Sequence, residues 1–156
     1  SGAGRIVNIG STAALLPHIG SSAYSSAKNA IESISDVLRL EAAPANISVS
    51  LLEPGYVKSA LAAKQLGEQA PWARLDEQTR AAFDASWGPW AQMHEATRPL
   101  AEANAPSAEV TTAAILHAMQ SEYPETRYVL ATCSPTGSSC RVLTRLCWLL
   151  PDRLRD

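Results

Sequence analysis

A strand–helix–strand pattern in the first third of the chain constrains its fold more than any other feature. "RIVNI" at 5–9 and "ISVSLL" at 47–52 are short runs of β-branched and apolar residues, typical of buried strands. Between them, in 23–41, apolar and small residues recur with the period of a helix, which Pro44 ends by restricting the residue before it. Strands joined through a helix usually run parallel with a right-handed crossover, so the pattern predicts an α/β fold.

The rest of the chain continues this pattern less regularly. Between Val57 and Ala105, helical stretches are mixed with Pro71, Pro89 and Pro99. Three further elements are predicted after this segment: a helix capped by Ser107, a third strand at 127–131 and a short last helix at 138–150.

Composition limits the class of protein. The 156 residues suffice for one domain, and 46% hydrophobic with 18% charged residues is ordinary for a globular chain. A net charge of −2 argues against a nucleic-acid partner. We interpret the cysteines, which form no CxxC pair, as buried apolar groups in a reducing compartment: Cys133, Cys140 and Cys147.

Localisation is therefore predicted to be cytoplasmic. The sequence shows no signal peptide, and no apolar run reaches the ~18 residues of a membrane span. The tail from 140 to 156 combines apolar residues with four arginines. Packing on the domain is the favoured interpretation of this tail, and contact with a membrane surface is the alternative.

Tyr24 and Lys28 are the first candidates for chemistry. Side chains four residues apart lie on one face of a helix. A free phenol has a pKa of about 10, and a neighbouring cation favours its ionised form, so such a pair can move a proton near neutral pH. Taken alone this spacing is common by chance, and a structural role is the simpler interpretation.

Neighbouring residues strengthen the chemical interpretation. Ser11 follows the first strand, and ligands of open α/β sheets bind beyond the carboxyl ends of the strands. The second strand ends in "EPGYVKS", where Pro54 and Gly55 would let the backbone approach a flat ligand closely. The three stretches thus predict one site at one edge of the sheet.

"GRIVNIGSTAA", "AYSSAK" and "ISVSLLEPGYVKS", in this order, resemble the short-chain dehydrogenase/reductase family over residues 3–60. The resemblance implies that Ser11 steadies the substrate oxygen, that Tyr24 is the acid/base, and that Lys28 assists the tyrosine and holds the nicotinamide ribose. Ser11, Tyr24 and Lys28 are therefore the implied catalytic residues. The implied cofactor contacts are Tyr24, Lys28, Pro54, Gly55, Val57 and Ser59.

The resemblance further implies a partial Rossmann-like, doubly wound parallel sheet. No GxGxxG motif occurs here, so we expect the chain to supply the last three strands of one domain over 1–156, with the dinucleotide-binding half missing. The implied parent enzyme transfers a hydride between NAD or NADP, which the sequence does not distinguish, and a secondary alcohol or ketone. This portion alone is expected to be inactive.

The residues in these motifs are most similar to those of the retinol and hydroxysteroid dehydrogenase branch, which implies an apolar substrate. The segment at 57–105 would be the family's variable substrate lid, and its tryptophans either line the pocket or pack the lid: Trp72, Trp87 and Trp90. The resemblance implies homo-oligomers through the helix at 23–43. The alternative to an enzyme is a truncated, non-catalytic interaction module or a degraded gene product.

The histidines support no metal site. His18 is interpreted as a solvated loop residue, with a place in the substrate pocket as the alternative. His94 and His117 fall on predicted helices without a second ligand at metal spacing.

Overall fold

The computed structural model describes residues 4–16, 21–58 and 75–130, and only the backbone at 87, 89–95, 97, 98 and 100–102. Three strands and three α-helices lie in these ranges. Their order is β1 (Gly4–Ile9), α1 (Ser22–Ala42), β2 (Ile47–Pro54), α2 (Glu77–Asn104), α3 (Glu109–Gln120) and β3 (Arg127–Leu130).

The strands form one parallel sheet in the order β1-β2-β3. The register places Gly4 opposite Ile47 and Ile9 opposite Leu52. The predicted α/β class and parallel sheet are therefore confirmed. The predicted burial of β1 is only partial, because this strand lies at an edge of the described sheet and is half-buried along most of its length.

Helix α1 presents its polar side to the sheet. Its buried residues are Glu32, Ser35 and Ala42, while Ile34 and Val37 of its apolar stripe are about half exposed. The apolar period thus predicted the helix correctly but not its buried side. The sheet face below α1 carries polar groups that need partners, as where the Asn8 amide donates to the Ser35 hydroxyl at 2.9 Å.

The main apolar core lies on the opposite face of the sheet, under α3. Leu52, Tyr128 and Leu130 contribute from the sheet, and Ala114 and Ala118 from α3. A polar pair completes this interface, since Nδ1 of His117 lies 2.8 Å from the Tyr128 hydroxyl. The two faces of one small sheet therefore differ in chemistry, with carbon packing under α3 and charged groups under α1.

The end of α1 follows the predicted proline but needs a second residue. A 3-10 turn at Ala43–Ala45 contains Pro44, and Asn46 then adopts φ 57°, a left-handed conformation that asparagine tolerates better than most residues. The reversal places β2 beside β1.

The later boundaries differ from those predicted. Helix α2 continues through Pro89 and Pro99, because a proline removes one hydrogen bond without preventing its neighbours from staying helical. Ser107 is not the cap of α3: Ala108 occupies that position, and the Ser107 hydroxyl instead donates to the Glu109 carboxylate at 3.2 Å. Strand β3 is described over Arg127–Leu130, whereas Ala131 and the helix expected at 138–150 lie outside the described residues.

Candidate active site

Ser11 lies immediately beyond the end of β1 and is buried. Its Oγ accepts a hydrogen bond from the backbone N–H of Ala13 at 3.2 Å and donates to the carbonyl oxygen of Pro54 at 3.4 Å. The neighbouring Thr12 hydroxyl donates to the same carbonyl at 3.4 Å. The serine therefore has a defined orientation, set by its own turn and by the end of β2.

Gly10 allows this close approach of the strands. Its N–H donates to the Leu52 carbonyl at 2.7 Å, which extends the pairing of β1 with β2. A Cβ at this position would meet the Leu51 side chain at 3.1 Å, the Leu52 carbonyl at 3.2 Å and the Glu32 carboxylate at 3.3 Å. A larger residue would push the serine turn away from β2.

The structure brings Tyr24 and Lys28 together on the first turns of α1. The Lys28 Nζ lies 5.8 Å from the centre of the Tyr24 ring and donates to the carbonyl oxygen of Ile9 at 2.9 Å. The phenol is 40% exposed, so its hydroxyl is available to a ligand. One turn of helix thus holds an accessible phenol beside an ammonium that is fixed to the end of β1.

A second bond fixes α1 to the serine turn. The Asn29 amide donates to the carbonyl oxygen of Ala14 at 3.4 Å. Since Lys28 reaches Ile9, two residues before Ser11, the Tyr24–Lys28 pair and the serine lie at the same end of β1. The expectation from sequence that the three stretches meet at one edge agrees with this geometry.

The Pro-Gly segment follows β2 at the same edge. The Gly55 N–H donates to the Leu130 carbonyl at 2.8 Å, and the Lys58 N–H donates to the Pro106 carbonyl at 3.0 Å. Gly55 and Val57 are partly exposed. The loop is therefore held between β3 and the residues preceding α3, while Ser59 lies outside the described residues.

Beneath this edge lies a charged cluster that the sequence analysis missed. Nη1 of Arg127 donates to Oε1 of Glu53 at 2.6 Å and also to Oε2 of Glu32, and Nη2 donates to the Asp36 carboxylate at 2.8 Å. Glu53 is completely buried and Glu32 is 6% exposed. The cluster joins β2, β3 and α1 directly below Ser11 and Pro54.

Burial raises the pKa of the Glu53 carboxyl to about 7, and the adjacent Glu32 carboxyl adds to this rise against the opposing charge of Arg127. Hydrogen bonding from Arg39 and the charge of Arg127 hold the pKa of the half-exposed Asp36 carboxyl below its usual range. Near neutral pH the Glu53 carboxyl is therefore partly protonated, while Asp36 stays ionised.

One signal in the sequence could have revealed the cluster. Glu53 is an acid that directly follows the apolar residues Leu51 and Leu52 of its strand, and a buried carboxylate requires a partner. That partner is Arg127, the first residue of the third strand. The separation of Glu53 and Arg127 along the sequence gives no indication that they are in contact.

Among the other candidates, only His117 has a described side chain. The His117 ring contacts Tyr128 edge-on in the apolar core, which is a packing role. The cysteines, His18 and Trp72 lie outside the described residues, as do the side chains of Trp87, Trp90 and His94. In the described part of the chain, no cluster of histidine, cysteine and acidic residues suits a metal ion. The helices in the same ranges include none that is both long and apolar enough to span a membrane.

Comparison with known proteins shows which family and which relatives this chain is similar to. Residues 1–70 match the family model of the short chain dehydrogenases. Retinol dehydrogenase 5 of Mus musculus is 29% identical over 98% of this chain and 46% of its own length. The 17-beta-hydroxysteroid dehydrogenase type 6 of Rattus norvegicus is 30% identical over 80% of this chain and 39% of its own length.

A dehydrogenase/reductase SDR family protein 7-like of Anopheles gambiae is 42% identical over 49% of this chain and 24% of its own length. The chain thus spans less than half of the length of these relatives. Residues 1–70 are thus similar to the short-chain dehydrogenase/reductase family. Members of this family generally use NAD or NADP.

Proposed function

We propose that this chain is part of an oxidoreductase that transfers a hydride between NAD or NADP and a secondary alcohol or ketone. One observation carries the proposal: an accessible Tyr24 phenol lies beside Lys28, whose ammonium is fixed to the carboxyl end of β1. A phenol in this position can exchange a proton with a substrate oxygen. The family match over residues 1–70 supports the same class of reaction.

The residues at this edge fit the nicotinamide end of the cofactor. Lys28 offers an ammonium near the sheet edge, and partly exposed Gly55 and Val57 offer backbone at close range. A bound nicotinamide would supply or accept the hydride. We propose Tyr24, Lys28, Pro54, Gly55, Val57 and Ser59 as the cofactor contacts.

The chain's own residues have separate roles in this proposal. Tyr24 gives a proton to the substrate oxygen during reduction and takes it back during oxidation. Lys28 holds positive charge beside the phenol, which favours its ionised form. Ser11 orients the substrate oxygen, and because its hydroxyl has one hydrogen, it must leave the Pro54 carbonyl when it donates to the substrate.

We propose an apolar substrate, such as a retinoid or steroid. Similar proteins are named retinol and 17-beta-hydroxysteroid dehydrogenases, which supports this choice. The segment at 57–105 follows the Pro-Gly loop and is proposed as the substrate lid, with α2 as its main described element.

We propose that β1, β2 and β3 are the last three strands of the family's doubly wound sheet and that 1–156 is the C-terminal portion of one domain. Two observations support this assignment. Almost all of this chain, 98%, aligns with the similar retinol dehydrogenase, but the alignment covers only 46% of the length of that enzyme. In the described sheet β1 is an outer strand, which leaves one edge for a further strand.

We also propose that two copies of the complete protein associate through α1. The stripe Ile34, Val37 and Leu40 is 55%, 51% and 77% exposed. Residues three apart lie along one side of a helix, so these side chains form a continuous apolar surface. A second copy of the same helix would cover it.

The test uses the complete gene product with NAD and NADP and a panel of retinol, a hydroxysteroid and small polar alcohols. We expect turnover of the apolar alcohols to fall roughly 10²–10⁴-fold in Tyr24→Phe while cofactor binding remains. Tyr123→Phe is the control, because this phenol is 79% exposed and lies away from the site. Parental turnover in Tyr24→Phe would overturn the proposed function.

A further inference from the structure

The Glu53 side chain lies in the wall of the candidate site without facing a ligand. It is completely buried, and the next residue in the chain, Pro54, supplies the carbonyl that accepts the Ser11 and Thr12 hydroxyls. We propose that Glu53 is a positioning residue: anchored by Arg127, it holds the Pro54 carbonyl that orients the Ser11 hydroxyl until this hydroxyl turns to the substrate oxygen. This inference rests on the proposed function and adds a residue to its machinery.

Glu53 is anchored through Arg127, which forms ion pairs with three acidic residues. Arg127 on β3 binds Glu53 through Nη1, and the same nitrogen binds Glu32 on α1. Arg127 also binds Asp36, one turn further along α1. Charge-assisted bonds of this kind are about twice as strong as neutral ones, so Glu53 is tied to both neighbouring elements at once.

The anchored strand end leads directly to the serine. β2 still pairs with β3 at Pro54, opposite Leu130, and the Gly55 N–H continues to the Leu130 carbonyl. The Pro54 carbonyl accepts only long bonds of 3.4 Å from Ser11 and Thr12. At this length a shift of a few tenths of an ångström breaks the contact, so Ser11 depends on the position of β2's end.

Glu32 connects the cluster to the other half of the site. It follows Lys28 by four residues and lies on the side of α1 that faces the sheet. Its Oε1 is the carboxylate atom that a Cβ on Gly10 would meet at 3.3 Å, directly before Ser11. The Glu32 carboxylate therefore lies close to the backbone that leads into the serine turn.

The charges of the cluster predict how substitutions behave. Three carboxylates face two guanidiniums, from Arg127 and from Arg39, which pairs with Asp36. One carboxylate is thus in excess, and buried oxygens of Glu32 and Glu53 lack other partners among the described residues. A proton retained on Glu53 satisfies this balance, in agreement with its pKa of about 7. Glutamine has the shape and hydrogen-bonding groups of the protonated acid, whereas leucine has only a similar size.

The experiment measures kcat and KM of the complete protein in a double-mutant cycle between Ser11→Ala and Glu53→Leu. We expect Glu53→Leu to lower kcat roughly tenfold to a hundredfold through misplacement of the Ser11 hydroxyl. In the Ser11→Ala background, the same change should cost no more than about twofold. Glu53→Gln should recover most of the loss. Ser50→Ala removes a buried hydrogen bond of β2 to the Glu125 carbonyl on the other face and controls for general weakening of the strand.

Equal losses from Glu53→Leu in both backgrounds overturn the proposal, as does a Glu53→Gln variant that is as poor as Glu53→Leu. If Glu53→Leu does not fold, Arg127→Lys takes its place, because one ammonium cannot reproduce the fork that binds Glu53 and Asp36. Parental activity in Ser11→Ala overturns the route through the serine. Failure of the proposed function is recognised separately, by parental turnover in Tyr24→Phe.

Discussion

The ammonium of Lys28 donates to the backbone carbonyl of Ile9 at 2.9 Å, which joins the first turns of α1 to the last residue of β1. The same nitrogen lies 5.8 Å from the Tyr24 ring. Lys28 thus has a structural partner as well as its proposed role toward the phenol and the cofactor. The two roles are separable by substitution.

We expect Lys28→Met to reduce both cofactor affinity and turnover, because it keeps the aliphatic stem but removes the charge and the bond to Ile9. Lys28→Arg keeps the charge, so it should lose less cofactor affinity than Lys28→Met does. Cofactor titration and kcat measurements on both variants provide the comparison. If the two variants bind cofactor equally well, charge at this position does not contribute to cofactor binding.

The stability of the protein should depend on pH through Glu53. Its carboxyl has a pKa of about 7 in the folded chain against an ordinary value of 4.5, so the folded state holds more protons between these values. Stability contributed by Glu53 is therefore complete below pH 4.5 and is lost as pH rises through 7, by at most roughly 3 kcal/mol. Urea unfolding of the parent and of Glu53→Gln from pH 5 to 8 measures this, and the slope should flatten in the variant. An unchanged slope in Glu53→Gln would assign the pH dependence to other groups.

Removal of Arg127 should destabilise the fold far more than removal of another arginine of the sheet. Arg127→Met leaves two buried carboxylates without their cation, which we expect to cost roughly 2–4 kcal/mol because the guanidinium is itself 35% exposed. Arg5→Met is the matched control, since the described partners of Arg5 are neutral groups, the Ser48 hydroxyl and backbone carbonyls. We expect roughly 1 kcal/mol for the control. Equal losses by chemical denaturation would contradict a special role for the acid cluster.

Association through α1 should be sensitive to charge on its exposed stripe. Leu40→Lys places a cation on a position that is 77% exposed, so the fold should be retained while the proposed interface is disrupted. Met119→Lys is the control, because Met119 is 56% exposed but lies on α3 rather than on α1. Sedimentation of the complete protein should show a smaller assembly for Leu40→Lys alone. An assembly of the same size in all three proteins would place the contact elsewhere.

The predictions from sequence were most accurate where a local pattern has a local cause. Short runs of apolar and β-branched residues predicted the bounds of β1 and β2 to within one or two residues. The helical period of apolar residues, together with Pro44, predicted α1. The side chains at the carboxyl edge of the sheet were also predictable, because parallel strands bring their ends together. The full length of helix α2 was not predictable, because local chemistry alone suggests that its prolines interrupt the helix.

The sequence by itself determined the parallel α/β arrangement and brought the Tyr24–Lys28 pair to the edge where Ser11 lies, because four-residue spacing and strand polarity act over short distances. Only the tertiary structure revealed that Arg127 meets Glu32 and Glu53, residues separated from it by 95 and 74 positions. It also determined that α1 turns acids rather than its apolar stripe toward the sheet. The physical reason is burial: a carboxylate excluded from water must find its cation wherever the fold places one, and that partner is defined by packing in space rather than by spacing along the chain.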